Sequence, residues 1–255
     1  MPLEIVTVPC LGDNYAYLLR DAGSGIVALV DAPEAGPIEA AIRERGWGLD
    51  QILITHHHAD HIGGVDALRA SFGAKVVGAA ADRRRLPALD RAVAAGDEVA
   101  VGESVGDVID VPGHTVGHVA YHFPEAKALF SADSLMVMGC GRLFEGTPEQ
   151  MWRSLSTMAA LPGDTLVYSG HEYAESNARF ALTVDGANER LKERAKEIAA
   201  MRQMGGATVP ARLDLERATN PFLRVADPDF KAALGMEGLP DAQVFAEVRR
   251  RKDAF

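Results

Sequence analysis

Short apolar runs separated by polar turns fill the first two thirds of the chain, with helical patterns between some of them. Runs of apolar and β-branched residues bounded by Gly, Pro or acidic residues predict strands. The runs are LEIVTV, YAYLLR, GIVALVD, QILIT, AKVVGA, DVIDVP, HVAYHF, KALFSAD and TLVYSGH. PIEAAIRERG predicts a helix that ends at Gly46, and further helices are expected at 62–71 and 148–160. Strands interspersed with helices indicate a layered α/β arrangement.

The pattern changes after Glu172. A loop-rich stretch and a helix near 240–252 lie towards the C-terminus, and no run in this part predicts a strand. We therefore expect an α/β domain over residues 1–172 and a helical domain over residues 173–255. ANERLKERAKEIAAMRQMG predicts a helix of the second domain that ends at Gly205. Its apolar stripe is formed by Leu191, Ala195, Ile198 and Met201.

The composition limits the class of protein. The chain has 255 residues, 47% hydrophobic, with a net charge of −10, which argues against a nucleic-acid partner. No charged-then-apolar leader and no apolar run of about 18 residues occurs, so neither export nor a membrane span is expected. Cys10 and Cys140 form no disulfide framework, which fits a reducing compartment. We expect a cytoplasmic monomer without membrane contacts.

ITHHHADHIGG concentrates chemistry at the end of a predicted strand. His56, His58 and Asp60 alternate, so in extended backbone they point to one side, and His61 follows at the start of a helix. The spacing separates two groups of candidate ligands, His56 with His58 and Asp60 with His61. His57 points away from the others in extended backbone, so we expect it not to bind metal.

A histidine-rich stretch can form a metal site, an acid–base cluster or a solvated loop, and three later strand ends favour metal. PGHTVGH presents His114, SAD presents Asp133 and SGHEY presents His171, each beside a small residue. With the first four, they make seven ligands, enough for two metals that share one carboxylate. We expect His118 to orient its loop, and His122 to be structural.

The set THHHADH, PGHTVGH, SAD and SGHEY resembles the metallo-β-lactamase superfamily. VPCLGDNYAYL, GCGRLFEG, SGHEYAESNARFA and VRRRKDAF narrow the resemblance to the glyoxalase II family, the hydroxyacylglutathione hydrolases. The similarity covers essentially the whole chain. It implies a four-layer αβ/βα metallo-β-lactamase sandwich followed by a C-terminal α-helical domain.

The resemblance also implies two divalent ions, zinc foremost with iron or manganese as alternatives. The first ion is assigned to His56, His58 and His114. The second ion is assigned to Asp60, His61 and His171. Asp133 is expected to bridge the two ions, and Asp60 and Asp133 are the carboxylates expected to take part in catalysis.

The implied reaction is thioester hydrolysis. A hydroxide held between the two metals attacks the thioester of S-D-lactoylglutathione, or a similar 2-hydroxyacylglutathione, and releases D-lactate and glutathione. This is the second step of methylglyoxal detoxification. Because a thiol has a pKa near 8.5, the glutathione thiolate can leave without a proton donor.

The glutathione part of the substrate carries two carboxylates and needs cations nearby. The family pattern assigns its contacts to Arg142, Phe144, Tyr173, Arg249 and Lys252. Many members have Lys where this chain has Arg142 and Tyr where it has Phe144. Arginine binds carboxylates in a bidentate manner, whereas Phe144 lacks a hydroxyl donor worth about 0.5–1.5 kcal/mol. We expect altered glutathione affinity with the reaction retained.

Other readings remain open on the ligands alone. A persulfide dioxygenase with one iron uses the same H-x-H, His and Asp set, and RRRK by itself is also typical of a solvated helix end. The GCGRLFEG loop and the RRRKDAF tail favour the hydrolase. They have no role in a β-lactamase, and the presence of all seven ligands disfavours a non-enzymatic metal-binding protein. Cys140, between two glycines, is expected to be a small buried residue.

Overall fold

The computed structural model describes residues 3–255 and divides them into two units. The first unit contains the described residues up to Asp110 together with Gly117–Ala132. The second contains Val111–Val116 and Asp133–Phe255. The predicted division of the sequence at residue 172 stays a prediction.

The first unit contains a sheet whose strands follow one another in chain order. Its first three strands pair antiparallel and the remaining strands pair parallel to the third. The strands are β1 Leu3–Cys10, β2 Asn14–Asp21, β3 Val27–Val30, β4 Gln51–Leu53, β5 Lys75–Ala79 and β6 Arg91–Val93. Parallel strands deliver their carboxyl ends to one edge, where ligands usually lie in α/β folds.

An antiparallel sheet in the same unit faces the first sheet. Its strands are β7 Glu98–Val101, β8 Ser104–Asp110, β9 Val119–Phe123 and β10 Ala128–Ala132. The ring of Tyr17 on β2 lies 5.5 Å from that of Phe130 on β10. The buried Tyr121 hydroxyl of β9 donates to the Ile54 carbonyl over 2.8 Å. These contacts join the two sheets through their inner faces, as in the expected sandwich.

Three helices of this unit follow strands of the first sheet. They are α1 Ala35–Glu44, α2 Ala59–Ile62 and α3 Val65–Phe72. Ile38 and Ile42 of α1, with Val65 and Leu68 of α3, are fully buried in the core formed with the first sheet. An apolar stripe of this kind supplies most of the stability of a short helix.

The helix expected at 62–71 is confirmed as α3, but it begins three residues later, because Gly63 and Gly64 separate it from the short helix α2. A Cβ on Gly63 would lie 2.8 Å from the Pro33 carbonyl oxygen, and one on Gly64 would lie 2.7 Å from the Ala35 nitrogen. The Gly64 N–H donates to the Ala32 carbonyl over 2.8 Å. The two glycines therefore let the loop after β3 pass against the helix junction.

The second unit is mainly helical. Its helices are α4 Pro148–Ala159, α5 Ala174–Val184, α6 Glu189–Gln203, α7 Leu213–Thr219, α8 Pro228–Leu234 and α9 Asp241–Asp253. Its strands are β11 Leu135–Met136, β12 Gly139–Cys140, β13 Leu166–Ser169 and β14 Ala211–Arg212. The helices expected at 148–160 and near 240–252 are confirmed. The expectation of no strand after Glu172 is wrong, because β14 pairs antiparallel with β13. Two residues are too few to leave an alternating pattern.

The buried stripe of α6 differs from the predicted one. Leu191 and Ile198 are buried as expected, but Met201 is 40% exposed and the third buried residue is Arg194. The Arg194 guanidinium pairs with the buried Glu216 carboxylate of α7. A charged residue on a core stripe is stable only with such a partner, and the partner is distant in sequence. Among residues 3–255, no helix combines the length and the apolar character needed to cross a bilayer.

Helix α4 begins with a capping box, and Thr147→Ala should remove it. The Thr147 hydroxyl accepts from the Gln150 N–H, while the Gln150 side chain accepts from the Thr147 N–H. We expect the free energy of unfolding, measured with urea, to fall by about 1 kcal/mol. Thr157→Ala is the control, since its exposed hydroxyl bonds only within α4. Equal effects of the two substitutions would contradict the assignment.

Candidate metal centre

The end of β4 delivers the histidine-rich stretch of the first unit. His56 is fully buried, and its Nε2 lies 3.2 Å from His58 Nδ1. His58 is the extended residue before α2, whereas Asp60 and His61 lie within the helix. The prediction that Asp60 continues the extended alternation is therefore wrong. The pairing of Asp60 with His61 holds, because their ligand atoms lie within 4.8 Å of each other.

Hydrogen bonds to one ring nitrogen fix two of these imidazoles. His61 Nδ1 lies 2.8 Å from Asp31 Oδ2, and His56 Nδ1 lies 3.0 Å from Thr55 Oγ1. Asp31 also accepts from the Thr55 N–H over 2.8 Å and from the Thr55 hydroxyl over 2.7 Å. Since the Thr55 hydroxyl donates to Asp31, it accepts from His56. The Nε2 atoms of His56 and His61 are then the nitrogens available to a metal.

His57 turns to a different partner from its neighbours. Its Nδ1 lies 3.0 Å from an oxygen of Asp82, whose buried carboxylate also pairs with Arg85. A Cβ on Gly117 would collide with the same carboxylate. Asp82 thus orients His57, and the lack of a side chain at Gly117 lets its turn lie close to the same carboxylate. That His57 stays off the metal remains a prediction.

The second unit gathers the other three predicted ligands around one carboxylate oxygen. His114 Nε2 and His171 Nε2 each lie 3.3 Å from Asp133 Oδ2. All three side chains are buried. His114 Nδ1 lies 2.8 Å from the Arg142 carbonyl oxygen, which fixes the ring and leaves Nε2 for a metal. A carboxylate oxygen equidistant from two imidazole nitrogens suits a ligand that two ions share.

A glycine makes this arrangement possible. A Cβ on Gly141 would collide with the Asp133 carbonyl oxygen and would lie 2.9 Å from His114 Nδ1. Any side chain there would push apart two predicted ligands. The buried imidazole and carboxylate groups, with their ring nitrogens oriented by hydrogen bonds, fit zinc, iron or manganese. The donor set does not discriminate sharply among them.

The three remaining candidates of the sequence have packing contacts. The His118 ring stacks on the His56 ring, with centroids 4.6 Å apart. His122 lies within β9, where burial lowers its pKa. Cys140 is buried, and burial raises the pKa of its thiol to about 11. Its thiol is therefore protonated near neutral pH.

Two of the expected glutathione contacts are exposed aromatic rings beside predicted ligands. Tyr173 is 39% exposed and stacks on the His171 ring at 4.7 Å. Phe144 is 64% exposed and meets the His114 ring edge to face at 5.3 Å. Both rings are therefore partly accessible to solvent beside predicted ligands.

The expected cationic contacts differ in their surroundings. Arg142 is exposed, whereas Arg249 is buried, with Nη1 donating to the Cys140 carbonyl over 3.0 Å and Nη2 lying 2.8 Å from Asp253. Lys252 is half-buried, and its ammonium donates to the Ser176 carbonyl over 3.2 Å. The role of these cations toward a substrate stays a prediction.

Nearby arginines affect the pKa of the Lys252 ammonium. Burial foremost, together with nearby Arg249, Arg179 and Arg142, lowers the pKa of the Lys252 ammonium to about 8, while Asp253 opposes the shift. The ammonium also lies 5.3 Å from the centre of the Phe180 ring. Lys252 therefore loses its charge at a lower pH than an exposed lysine does.

Two family models match this chain. The model of the metallo-β-lactamase superfamily matches residues 11–171, and the model of the hydroxyacylglutathione hydrolase C-terminus matches residues 172–255. Proteins named hydroxyacylglutathione hydrolase from Ruegeria pomeroyi and Cereibacter sphaeroides are 62% and 61% identical. Each alignment covers 100% of both chains.

Solved structures give the same fold. A B3 metallo-β-lactamase, BLEG-1, superposes with a TM-score of 0.67 at 22% identity, covering 86% of this chain and 99% of that one. ETHE1 from Myxococcus xanthus has a TM-score of 0.65 at 26% identity and covers 100% of both chains. The chain therefore belongs to the metallo-β-lactamase superfamily and, within it, to the hydroxyacylglutathione hydrolases. This fold with its His/Asp clusters implies divalent metals.

Sequence reasoning missed two groups that hold the predicted ligands. Asp31 contacts His61 and Thr55, as described above, and Asn14 donates to the Asp60 carboxylate over 3.1 Å. Asp31 stands at the end of the strand run GIVALVD, the same placement that singled out Asp133. That signal was available for Asp31. Asn14 lies in a turn sequence, GDNY, which gives no comparable signal.

Asp31→Asn should weaken metal binding with little change of shape. Asp31 has a positive φ of 56°, which asparagine tolerates, but an amide cannot accept from both His61 and Thr55 as the carboxylate does. We expect the metal dissociation constant, measured by chelator competition, to rise about 10–100-fold. Asp66→Asn, on the exposed face of α3, is the control and should leave it unchanged. Unchanged affinity in Asp31→Asn would contradict the orienting role.

Proposed function

We propose that this chain hydrolyses S-D-lactoylglutathione and similar 2-hydroxyacylglutathiones to the 2-hydroxy acid and glutathione, the second step of methylglyoxal detoxification. The observation that carries the proposal is the full-length similarity, at 62% identity, to a protein named hydroxyacylglutathione hydrolase. The matched C-terminal family model supports it, since its description names the hydroxyacylglutathione hydrolases.

We further propose that two divalent ions, zinc foremost, are held by the seven predicted ligands. The match of the superfamily model to residues 11–171 includes all seven positions and supports this assignment. The first ion is assigned to His56, His58 and His114. The second is assigned to Asp60, His61 and His171, with Asp133 shared. When bound, such ions lower the pKa of water from about 15.7 to about 7 and polarise the substrate carbonyl.

The residues of the chain supply orientation and burial. Asp31 and the Arg142 carbonyl hold the rings of His61 and His114 in single orientations, so the ligand nitrogens need no reorganisation. Asp133 is buried, which strengthens its electrostatic interactions. Since the glutathione thiolate leaves without a proton donor, no further acid is needed.

The glutathione part is proposed to bind beside these ligands through residues from both parts of the sequence. Tyr173 and Phe144 offer exposed rings, and Arg142 and Lys252 offer cations for the carboxylates. Arg249 is proposed to act with Lys252, although its guanidinium already contacts Cys140. This assigns metal binding to residues 1–172 and gives residues 173–255 a share of glutathione binding. We place the protein in the cytoplasm as a monomer.

The one-iron persulfide dioxygenase is the second candidate and is less supported. ETHE1 superposes over the full chain at 26% identity, whereas the relatives at 62% and 61% identity are named hydroxyacylglutathione hydrolases. The two candidates differ in metal stoichiometry and in the consumption of oxygen, so a measurement separates them.

Asp133→Ala should lose metal and activity together. Its carboxylate oxygen lies equally close to His114 and His171, so its removal takes away a ligand that we propose both ions share. We expect hydrolysis of S-D-lactoylglutathione to fall to background, with metal analysis of the same sample showing loss of both ions. Asp110→Ala, at an exposed residue, is the control. Full retention of the second metal in Asp133→Ala would refute the shared role.

A separate experiment tests the proposed substrate. Wild-type protein with both metals bound that fails on several glutathione thioesters would overturn the hydrolase assignment. One iron per chain together with oxygen consumption would replace it with the dioxygenase.

The Lys252 ammonium predicts a pH dependence of substrate binding. Its pKa is lowered to about 8, so its charge is present below that pH and is lost as the pH rises through it. We expect KM to rise severalfold between pH 7 and 9, because a neutral amine attracts a carboxylate less. Lys252→Arg keeps its charge throughout and should remove the rise. Lys192→Arg, at a surface ion pair of α6, is the control. An identical pH profile of KM in Lys252→Arg and wild type would contradict the role.

A further inference from the structure

The segment between Asp133 and Arg142, which we call the 133–142 hairpin, joins two predicted parts of the metal centre. Asp133 stands at its start, and the carbonyl of Arg142 at its end holds His114 Nδ1 at 2.8 Å. The paired strands β11 and β12 lie between them. The position of this hairpin therefore sets both the carboxylate of Asp133 and the orientation of the His114 ring.

Asn220, directly after α7, holds the turn of the 133–142 hairpin. Its side-chain amide donates to the Gly139 carbonyl over 2.9 Å and to the Met136 carbonyl over 3.2 Å. Its side-chain oxygen accepts from the Phe222 N–H over 3.0 Å. Asn220 is fully buried, so each of these hydrogen bonds replaces one to water and is costly to break.

Glu216 holds the same turn from the preceding helical turn of α7. Its Oε2 accepts from the Met138 N–H and from the Asn220 amide, both over 3.0 Å. Its other oxygen pairs with Arg194, which also donates to the Thr219 hydroxyl over 2.6 Å. The Arg194–Glu216 charge pair is thus buried with several hydrogen-bonded partners.

The turn needs this support. Met138 has a φ of 60°, a left-handed conformation that non-glycine residues adopt at a cost of about 1–3 kcal/mol and keep only when their surroundings impose it. A buried polar network with partners for its charges has few alternative arrangements. It therefore favours one position of the turn.

We propose that the Arg194–Glu216–Asn220 network is a positioning device for the metal centre. Its hydrogen bonds described above reach the 133–142 hairpin, and we propose that it acts through this hairpin on Asp133 and His114. Metal–ligand distances tolerate a change of only about 0.2 Å. A shift of the 133–142 hairpin would therefore move Asp133 and His114 and weaken metal binding. The proposal rests on the proposed function in that it requires an ion at Asp133.

Asn220→Ser is the substitution that tests the network. A serine hydroxyl can still accept from the N–H two residues ahead, so the local turn at Phe222 is retained. It is too short to bond the Gly139 and Met136 carbonyls. Asn220→Ala removes all of these bonds, and the serine variant carries the test if the alanine variant does not fold. Asn188→Ala is the matched control, because that asparagine caps α6 and bonds the Ala218 carbonyl without contacting the hairpin.

The readouts are the metal dissociation constant from chelator competition, the absorption spectrum of the cobalt-substituted protein, and kcat and KM for S-D-lactoylglutathione. For Asn220→Ser we expect the dissociation constant to rise about tenfold, at the lower end of the effect of outer ligand partners. The cobalt spectrum should change, and kcat should fall with KM nearly constant. Asn188→Ala should lose thermal stability alone.

The outcomes separate the inference from the proposed function. Asn220→Ser with wild-type metal affinity and cobalt spectrum would overturn the inference, as would an equal loss of affinity in Asn188→Ala. Wild-type protein that binds metal but does not hydrolyse the thioester would overturn the proposed reaction. The metal affinity and cobalt spectrum of Asn220→Ser would then still test the positioning role.

Discussion

An imidazole presents one nitrogen to a metal in a fixed direction only when its other nitrogen is hydrogen-bonded to an acceptor that does not move. The candidate centre depends on this constraint. His61 is held by Asp31, His56 by Thr55 and His114 by the Arg142 carbonyl. Each acceptor is itself fixed by the backbone or by further hydrogen bonds.

The two units meet this constraint by different means. In the first, Asp31 follows β3 and Thr55 follows β4, two parallel neighbours whose ends bring the carboxylate to the hydroxyl and amide of Thr55. In the second, the acceptor is a carbonyl at the end of the 133–142 hairpin, which has only short strands of its own. Buried side chains of α6 and α7 then supply the rigidity that a larger sheet would provide.

Much of this was predictable because strand ends can be recognised locally. Apolar runs that stop at a polar residue beside a small residue singled out His114, Asp133 and His171, and the structure brings these three together. The cap of α4 is also a local feature, since Thr147 precedes Pro148 at the start of the helix. Periodicity failed where the partner is remote, as for Arg194, whose place in the core depends on Glu216. It also failed at the two-residue strand Ala211–Arg212, which exists only by pairing with β13.

The central claim is that two ions act together in this chain, and a metal titration tests it most directly. Metal-free protein would be titrated with zinc while bound metal and hydrolysis of S-D-lactoylglutathione are measured in the same samples. The account predicts two ions per chain, with full activity reached only as the second binds. Full activity with a single ion per chain would contradict it.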